Sequence, residues 1–191
     1  MSSSAMASER GFSLVETLVA TLLLAVSLVS LAQLFGAATR SNLDAKTTTL
    51  VTMAAQQKME QLRSLAWSRD RDGNEVSDFV SDTAQDPPAS AGGTGLSTSP
   101  GNSLSVSVAG WVDYVDAAGR ILGGGTEPPD GTLYVRRWSV EPLPASPAES
   151  LVLQVFAFRV DGRGETLPDG EPVARFPEEA RLTTVKTRKS P

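Results

Sequence analysis

The sequence predicts an α+β fold in which one long N-terminal α-helix packs on a C-terminal antiparallel β-sheet. Three observations carry this prediction. An almost uncharged apolar run is followed by apolar residues at helical spacing, up to about residue 66. After residue 102 the pattern changes to the two-residue alternation of half-buried strands. The amphipathic end of the helix is the natural cover for the apolar face of such a sheet.

The composition excludes several classes of function. A chain of 191 residues suits one domain, or one domain with an appendage. It contains no Cys and no His, which excludes disulfides, thiolate or imidazole metal sites, and catalysis by a Cys nucleophile or a His base. The net charge of −5 argues against a nucleic acid as partner. No nucleophile elbow, phosphate-binding loop or paired-carboxylate pattern stands out, so we expect no enzymatic activity, no cofactor and no metal.

The first predicted element is a membrane-spanning helix, because Leu18 to Phe35 is built from Leu, Val and Ala. Its polar interruptions are Thr21, Ser27, Ser30 and Gln33. Glu16 is the only charged residue between Arg10 and Arg40. A helix of about 20 apolar residues matches the hydrocarbon core of a bilayer, which is about 30 Å thick. The few Ser and Thr residues can return their hydroxyl groups to the helix backbone. The alternative is a buried core helix, but a chain this small could hardly enclose so long an apolar helix.

The segment before the apolar run bears on processing. Met1 to Gly11 is short and polar, whereas a secretory signal peptide is cut after its apolar region. The weak candidate for such a cut is Ala37 to Thr39. We therefore expect the apolar segment to remain in the mature protein.

The start of the apolar run carries a specific motif. Gly11 is followed directly by Phe12, and Glu16 lies four residues beyond the Phe. This arrangement, at the opening of an otherwise uncharged membrane helix, resembles the processing and methylation signature of type IV prepilins and type II secretion pseudopilins. The resemblance implies that a prepilin peptidase cuts between Gly11 and Phe12 on the cytoplasmic side and methylates the new amino terminus of Phe12. Residues 1–11 would then be the prepilin leader.

Glu16 is the candidate residue for subunit assembly. A carboxylate in a membrane segment costs about 2.5–3.5 kcal/mol at the helix centre and somewhat less near an end, so ionisable residues there are usually functional. Its position in the first turn is favoured by the helix dipole. After cleavage the nearest cation would be an amino terminus, either its own or that of a neighbouring subunit. The resemblance implies the amine of a neighbouring subunit already in the filament. The alternative is a solvated charge at the level of the lipid headgroups.

The helix is expected to continue beyond the membrane. Residues 12–36 form its transmembrane and assembly half, and residues 37–66 form its amphipathic half. Gly36 is a weak point, since Gly costs up to about 1 kcal/mol relative to Ala in a helix. Major subunits of the family that this chain resembles commonly carry a helix-kinking Pro at the position of Gln33. This difference favours a minor subunit.

Residues 67–102 are rich in Asp, Ser, Gly and Pro and are expected to form an acidic loop with little regular structure. Within this loop, Asp70 to Glu75 offers oxygen ligands that could hold calcium, but its Gly lies too early for an EF-hand loop. A solvated turn is the favoured interpretation.

Residues 103–191 are expected to form an antiparallel β head. The predicted turns and connections are Asp116 to Arg120, Glu141 to Pro147, Asp161 to Gly164 and Leu167 to Pro177. The predicted strands are Leu104 to Val108 with a continuation over Trp111 to Val115, then Leu133 to Val140, Leu151 to Val160 and Ala180 to Arg188.

Two basic features of the head invite other interpretations. Arg136 and Arg137 lie beside Trp138, but strand alternation places Arg137 and Trp138 on opposite faces. We therefore expect a buried aromatic residue and exposed arginines rather than a ligand site. The basic run from Arg181 to Lys189 could meet an anionic surface or the acidic loop of a neighbour, or be a frayed, solvated tail.

The resemblance implies a structural subunit rather than an enzyme. Phe12 to Ala20, Gln56 to Leu62 and Arg137 to Val140 look most like the V-type, pilus-modification minor pilins. The implied function is that of a minor type IV pilin, incorporated at the tip or in the shaft of a pilus to prime or modify assembly. The close alternative is an I- or J-type minor pseudopilin of a type II secretion system. A membrane-anchored envelope enzyme or binding module with a coincidental motif is the alternative from another class.

The resemblance also implies partners and a location. The partners would be other pilin or pseudopilin subunits through the N-terminal helix, the prepilin peptidase, the inner-membrane assembly platform and a tip adhesin. The protein would cross the bacterial inner membrane once, with its leader in the cytoplasm and its head in the periplasm. It would then enter a pilus or pseudopilus at the cell surface.

Overall fold

The computed structural model describes residues 13–160 and 179–189. Several features predicted from the sequence lie outside these residues: the leader, Gly11, Phe12, and the connections over Asp161 to Gly164 and Leu167 to Pro177. The chain forms two compact units, one ending at Asp44 and the other beginning at Ala45.

The first element, α1, runs from Leu14 to Ser64. It is rich in Leu and Ala, which are among the best helix formers, and Gly36 does not interrupt it. The helix ends just before the predicted end near Ala66. There the backbone N–H of Ala66 donates to Asp78 Oδ2 at 2.6 Å, so this N–H group has a partner where the chain leaves the helix.

The first unit contains the N-terminal part of α1, and every described side chain up to Asp44 is exposed. Hydroxyl groups along it bond to backbone carbonyls of the same helix, as predicted. Thr21 Oγ1 donates to Thr17 O at 2.9 Å, and Ser27 Oγ donates to Leu23 O at 2.8 Å. In its length and composition, α1 is apolar enough to cross a membrane.

The second unit combines the C-terminal part of α1 with strands. Its described strands are β1 (Trp67–Arg69), β2 (Glu75–Ser77), β3 (Val112–Val115), β4 (Ile121–Gly123), β5 (Tyr134–Pro142), β6 (Ser150–Arg159) and β7 (Glu179–Thr187). Strands β3 to β7 form an antiparallel sheet in the order β4-β3-β5-β6-β7, and β1 and β2 form a separate hairpin. The predicted α+β fold, a long N-terminal helix packed on a C-terminal antiparallel sheet, is confirmed.

The main core lies between α1 and the sheet. Apolar helix residues recur every three or four positions and form one buried stripe: Val51, Ala55, Met59 and Leu62. This stripe shares a cluster with alternate residues of β5 and β6, among them Trp138 and Leu153. The intervening residues point to the opposite face of the sheet, where Tyr114, Phe156 and Phe158 belong to a second cluster. The sheet is therefore apolar on both faces.

The strand predicted over Leu104 to Val108 is wrong. The backbone N–H groups of Ser105 and Val106 both donate to Asn102 O, so this segment forms successive turns. The preceding Pro-Gly-Asn sequence favours turns. Leu104 packs against the second cluster, on the face of the sheet opposite α1, which accounts for its apolar character without a strand.

The other predicted strands correspond to β3, β5, β6 and β7, with small shifts at their ends. The turn predicted over Asp116 to Arg120 is also confirmed, with Gly119 at a φ of 82°. The sequence did not reveal β4, nor the hairpin of β1 and β2 inside the region expected to have little regular structure. Each of these strands has three residues, which is too short to display a periodicity.

Candidate assembly site and buried charge network

The helix start lies directly behind the predicted processing motif. Ser13 is the first described residue, and Gly11 and Phe12 precede it outside the described residues. The carbonyl oxygen of Ser13 accepts hydrogen bonds from the N–H groups of Glu16 at 3.0 Å and Thr17 at 3.2 Å. Ser13 therefore occupies the N-cap position of α1.

Glu16 lies exposed in the first turn of α1. Its spacing from Ser13 is that of a capping box, in which the Ser and the Glu satisfy free N–H groups at the helix start. The negative charge is also favoured at the positive end of the helix dipole. The Ser-Leu-Val-Glu sequence has the spacing of a capping box, but the sequence analysis considered only the helix dipole at Glu16.

The surface around Glu16 is apolar and exposed. Leu14, Leu18 and Leu22 have 79%, 61% and 60% of their surface exposed. No other charged residue occurs on α1 before Arg40. Such a surface suits lipid or other apolar helices rather than water. A carboxylate placed there is costly unless a cation comes close to it.

A second notable feature is a cluster of charges buried between α1 and the sheet in the second unit. Asp113 on β3 lies directly opposite Arg136 on β5, and Arg136 Nη2 donates to Asp113 Oδ2 at 2.8 Å. Lys58 of α1 forms an ion pair with the same carboxylate oxygen. The side chains of Lys58, Asp113 and Arg136 are at most 1% exposed. We call these three residues the buried charge cluster.

Lys58 is held by groups from three elements. Its Nζ donates to Thr83 O and to Asp113, and it lies 4.1 Å from the centroid of the Trp138 ring. Burial lowers the pKa of Lys58 from 10.5 to about 8, although the carboxylate of Asp113 acts in the opposite direction. The guanidinium of Arg136 lowers this pKa further. Two cations and one carboxylate therefore share a site that is closed to water.

Gln57 connects the buried charge cluster to the surface. Arg136 Nη1 donates to Gln57 Oε1 at 3.1 Å, and Gln57 Nε2 donates to Asp86 Oδ2 at 2.6 Å. On the next turn of the helix, Gln61 Nε2 donates to Gln85 O. Polar side chains on one side of α1 thus form hydrogen bonds with the loop around Asp86, while the apolar stripe of α1 packs against the sheet. The arrangement positions the helix on the sheet.

The predicted exposure of Arg136 and Arg137 is wrong. Arg136 is 1% exposed and Arg137 is 7% exposed. Arg137 Nη1 donates to Ser105 O at 2.5 Å, and its guanidinium lies 5.2 Å from the centroid of the Phe158 ring. Burial lowers the pKa of Arg137. The prediction that Trp138 is buried on the opposite face is confirmed, because it faces α1.

The basic C-terminal run makes ordered contacts. Arg188 Nη1 lies 2.6 Å from Glu75 Oε1, and its guanidinium lies 4.8 Å from the centroid of the Trp67 ring. Lys186 Nζ donates to Arg63 O at 2.6 Å. The alternative of a frayed tail is therefore wrong for the described part of this run, which forms β7 and a bridge to β1.

Asp70 organises the turn between β1 and β2. Its Oδ1 accepts from the N–H groups of Asp72 at 2.9 Å and Asn74 at 2.8 Å, and its Oδ2 accepts from Asn74 Nδ2 at 3.0 Å. These hydrogen bonds, with the Asn74 side chain first, lower the pKa of Asp70. The segment is an exposed hairpin turn, which is the interpretation favoured from the sequence. Within residues 13–160 and 179–189, no group of three or more acidic side chains is placed to hold a metal ion.

An open cleft of about 620 Å³ lies beside Gln57. Its other walls are the loop of residues 84–86 and the hairpin of residues 119–123. Asp86 and Arg120 are the charged groups among these lining residues.

Comparison with known proteins bears on the N-terminal segment. Residues 6–32 match a family described as the prokaryotic N-terminal methylation motif. The matched residues include Gly11, Phe12 and Glu16. No curated protein and no solved structure matches the chain. The match supports a type IV pilin-like protein, either a pilin or a pseudopilin, and the motif implies processing by prepilin peptidase and assembly with other pilin subunits.

Proposed function

We propose that this protein is a minor type IV pilin. It is a structural subunit that prepilin peptidase processes and that enters the tip or shaft of a pilus to prime or modify its assembly. The observation that carries this proposal is the lone carboxylate of Glu16 in the first turn of an exposed apolar helix, directly behind Gly11 and Phe12 in a matched methylation motif.

Gly11 and Phe12 are proposed as the two sides of the cleavage site. A Gly before the cut leaves the backbone accessible to a protease at the membrane surface, because it has no side chain to hinder an extended approach. After the cut, the amine of Phe12 would be the site of methylation. Because Ser13 caps α1, this amine would be adjacent in sequence to the start of the helix.

Glu16 is proposed to guide assembly by pairing with the amino terminus of a neighbouring subunit. Its helix surface is apolar, so water is a poor alternative partner for the charge once the helix lies in lipid or among other helices. An amine from a neighbour would compensate the carboxylate and favour a defined position along the helix axis.

The choice of a minor pilin over a pseudopilin rests on finer features of the sequence. The residues that look V-type lie on α1, at Gln56 to Leu62, and on β5, at Arg137 to Val140. Gln33 stands where major pilins commonly carry Pro, and α1 passes through it as continuous helix. An I- or J-type pseudopilin remains the alternative, and the identity of the filament that contains the protein distinguishes the two.

The proposed location follows from the same segment. The apolar part of α1 would cross the inner membrane once, with the leader in the cytoplasm and the sheet in the periplasm, before the subunit enters the filament. The proposed partners are other pilin subunits through α1, the prepilin peptidase, the inner-membrane assembly platform and a tip adhesin.

The experiment that tests this function is the intact mass and amino-terminal sequence of the protein from membranes of its native host. The same host without its prepilin peptidase is the control. A mature chain that begins at methylated Phe12 only when the peptidase is present is the expected result. An uncut Met1 in both hosts, or a chain cut after Phe35, would refute the proposal. Immunogold labelling of purified pili and of secretion pseudopili then separates pilin from pseudopilin.

A further inference from the structure

The two edges of the antiparallel sheet differ in length and regularity. At one edge, β4 has three residues and shifts register against β3. At the other edge, β7 has nine residues and pairs with β6 without a register shift. Short or bulged strands protect a sheet edge from further pairing, whereas a long regular strand leaves it open. The β7 edge is therefore the one suited to receive another strand.

The hydrogen bonds at the end of β7 identify which backbone groups point outward. The N–H of Arg188 donates to Glu149 O at 2.9 Å, so even-numbered residues of β7 bond toward β6 and odd-numbered residues point away. The N–H of Lys189, an odd-numbered residue, accordingly donates to Trp67 O at 3.1 Å, in a parallel bridge with β1. In the described part of the chain, no strand lies against the remaining outward groups: those of Arg181, Thr183, Val185 and Thr187.

The charged side chains of residues 181–189 are all cationic: Arg181, Lys186, Arg188 and Lys189. Arg181 is exposed, with its guanidinium 4.3 Å from the Phe156 ring centroid and 3.4 Å from Glu179. Burial, followed by the charges of Lys189 and Arg63, lowers the pKa of Lys186, while Asp78 acts against this. Cations so close together repel a like-charged strand, which disfavours a second copy of β7 as the partner and favours an acidic segment.

We propose that the outer edge of β7 receives an extended, acidic segment of the neighbouring subunit as an additional strand. The outward N–H and C=O groups of residues 181–187 would supply the main-chain hydrogen bonds. Because β1 closes the slot at Lys189, the segment would contain about five to seven residues at roughly 3.3 Å per residue. An acidic side chain would lie beside Arg181, and an apolar one beside the half-buried Leu182 on the other face. The inference rests on the proposed function, because the neighbour is taken to be a subunit of the same filament.

Residue-resolved hydrogen exchange of the full chain tests the proposal without knowledge of the partner. In the detergent-solubilised subunit, the amides of Leu182 and Thr184 should exchange slowly and those of Thr183 and Val185 quickly. In isolated filaments the exchange of the two outward amides, those of Thr183 and Val185, should be slower by a factor of about ten or more. Outward amides that stay fast in filaments containing the protein would overturn the proposal. A wild-type chain that never enters filaments would instead remove the proposed function, and this inference with it.

A pair of variants at Thr183 provides the second test. Thr183→Pro removes an outward N–H at a position where an edge strand tolerates Pro, and Thr183→Ala changes the same side chain but keeps the N–H. Incorporation of Thr183→Pro into filaments should fall about tenfold relative to Thr183→Ala, with unchanged slow exchange at Leu182 and Thr184. Equal incorporation of the two variants contradicts an added strand. If the inward amides of the Pro variant exchange faster, its sheet is disturbed. The proposal is then decided by the exchange of Thr183 and Val185 in filaments of the wild-type chain.

Discussion

Replacing Asp113 by Asn should destabilise the protein much more than replacing Lys58 by Met. In Asp113→Asn, Lys58 and Arg136 remain buried, with side chains at most 1% exposed, but face a neutral amide. Removal of one partner from a buried ion pair costs about 3–5 kcal/mol, because the remaining charge is uncompensated. The cluster has two cations to one carboxylate, so we expect the free energy of unfolding to fall by an amount in this range.

Lys58→Met acts differently, because it leaves the Asp113–Arg136 pair in place at 2.8 Å. The pKa of Lys58 falls from 10.5 to about 8 on burial. At about 1.4 kcal/mol per pKa unit, this means that the charged form carries a penalty of roughly 3 kcal/mol in the folded state at neutral pH. Met removes this penalty and keeps an apolar stem near Trp138, but it leaves Thr83 O without its donor, at about 1–3 kcal/mol. The two effects nearly cancel.

Urea unfolding of the full chain in mild detergent, followed by tryptophan fluorescence, measures the difference. Trp111 and Trp138 lie in the main core with ring centroids 6.4 Å apart, so their emission reports on the helix–sheet contact. Glu60→Gln is the matched control, because Glu60 is an exposed carboxylate on the same helix and should leave the midpoint nearly unchanged. If Lys58→Met destabilises as much as Asp113→Asn, the excess positive charge is not the costly feature of the cluster and the reasoning fails.

Three further predictions concern pH, assembly and processing. Between its folded pKa of about 8 and its ordinary value of 10.5, Lys58 binds more protons in the unfolded chain than in the folded one. The free energy of unfolding of the wild type should therefore rise with pH in this range, relative to that of Lys58→Met. Urea titrations from pH 8 to 10.5 measure this difference, and a difference that does not change with pH would argue against the burial effect. Glu16→Ala should insert and be cleaved normally yet enter filaments poorly, whereas Glu60→Ala should enter normally; immunoblots of sheared filaments measure this, and normal entry of Glu16→Ala would exclude the pairing role. Gly11→Leu should leave a slower-migrating, uncut protein, and an amino terminus identical to that of the wild type would contradict cleavage at this site.

The long elements of the fold were predictable because their patterns extend over many residues. The apolar stripe of α1 recurs over enough turns to identify a helix, and β5 to β7 are runs of nine or ten residues rich in apolar and β-branched types between turn signals. The hydrogen bonds of the hydroxyl groups on the apolar helix were predictable because their acceptors are backbone carbonyls three or four residues away on the same helix. The three-residue strands, by contrast, are too short for a two-residue alternation to repeat.

The environment of single polar side chains in the head was not predictable. Arg136 and Arg137 follow each other on a strand and were expected to be exposed, because Arg usually is. Each is buried because a partner arrives from a distant part of the chain: Asp113 from β3 for the first, and the turn at Ser105 for the second. Lys58 gave no signal of its own among the other charged residues of the amphipathic helix.

The sequence by itself determined the motif at Gly11, Phe12 and Glu16, the apolar helix and the α+β class, because these depend on residues close together along the chain. Only the tertiary structure decided which charges are buried and which edge of the sheet is open. Both depend on which strands become neighbours and on how α1 is rotated over them. The charge of Lys58 is tolerated in the core because Asp113 and Thr83 O meet it there, and that meeting of three separate segments exists only in the folded chain.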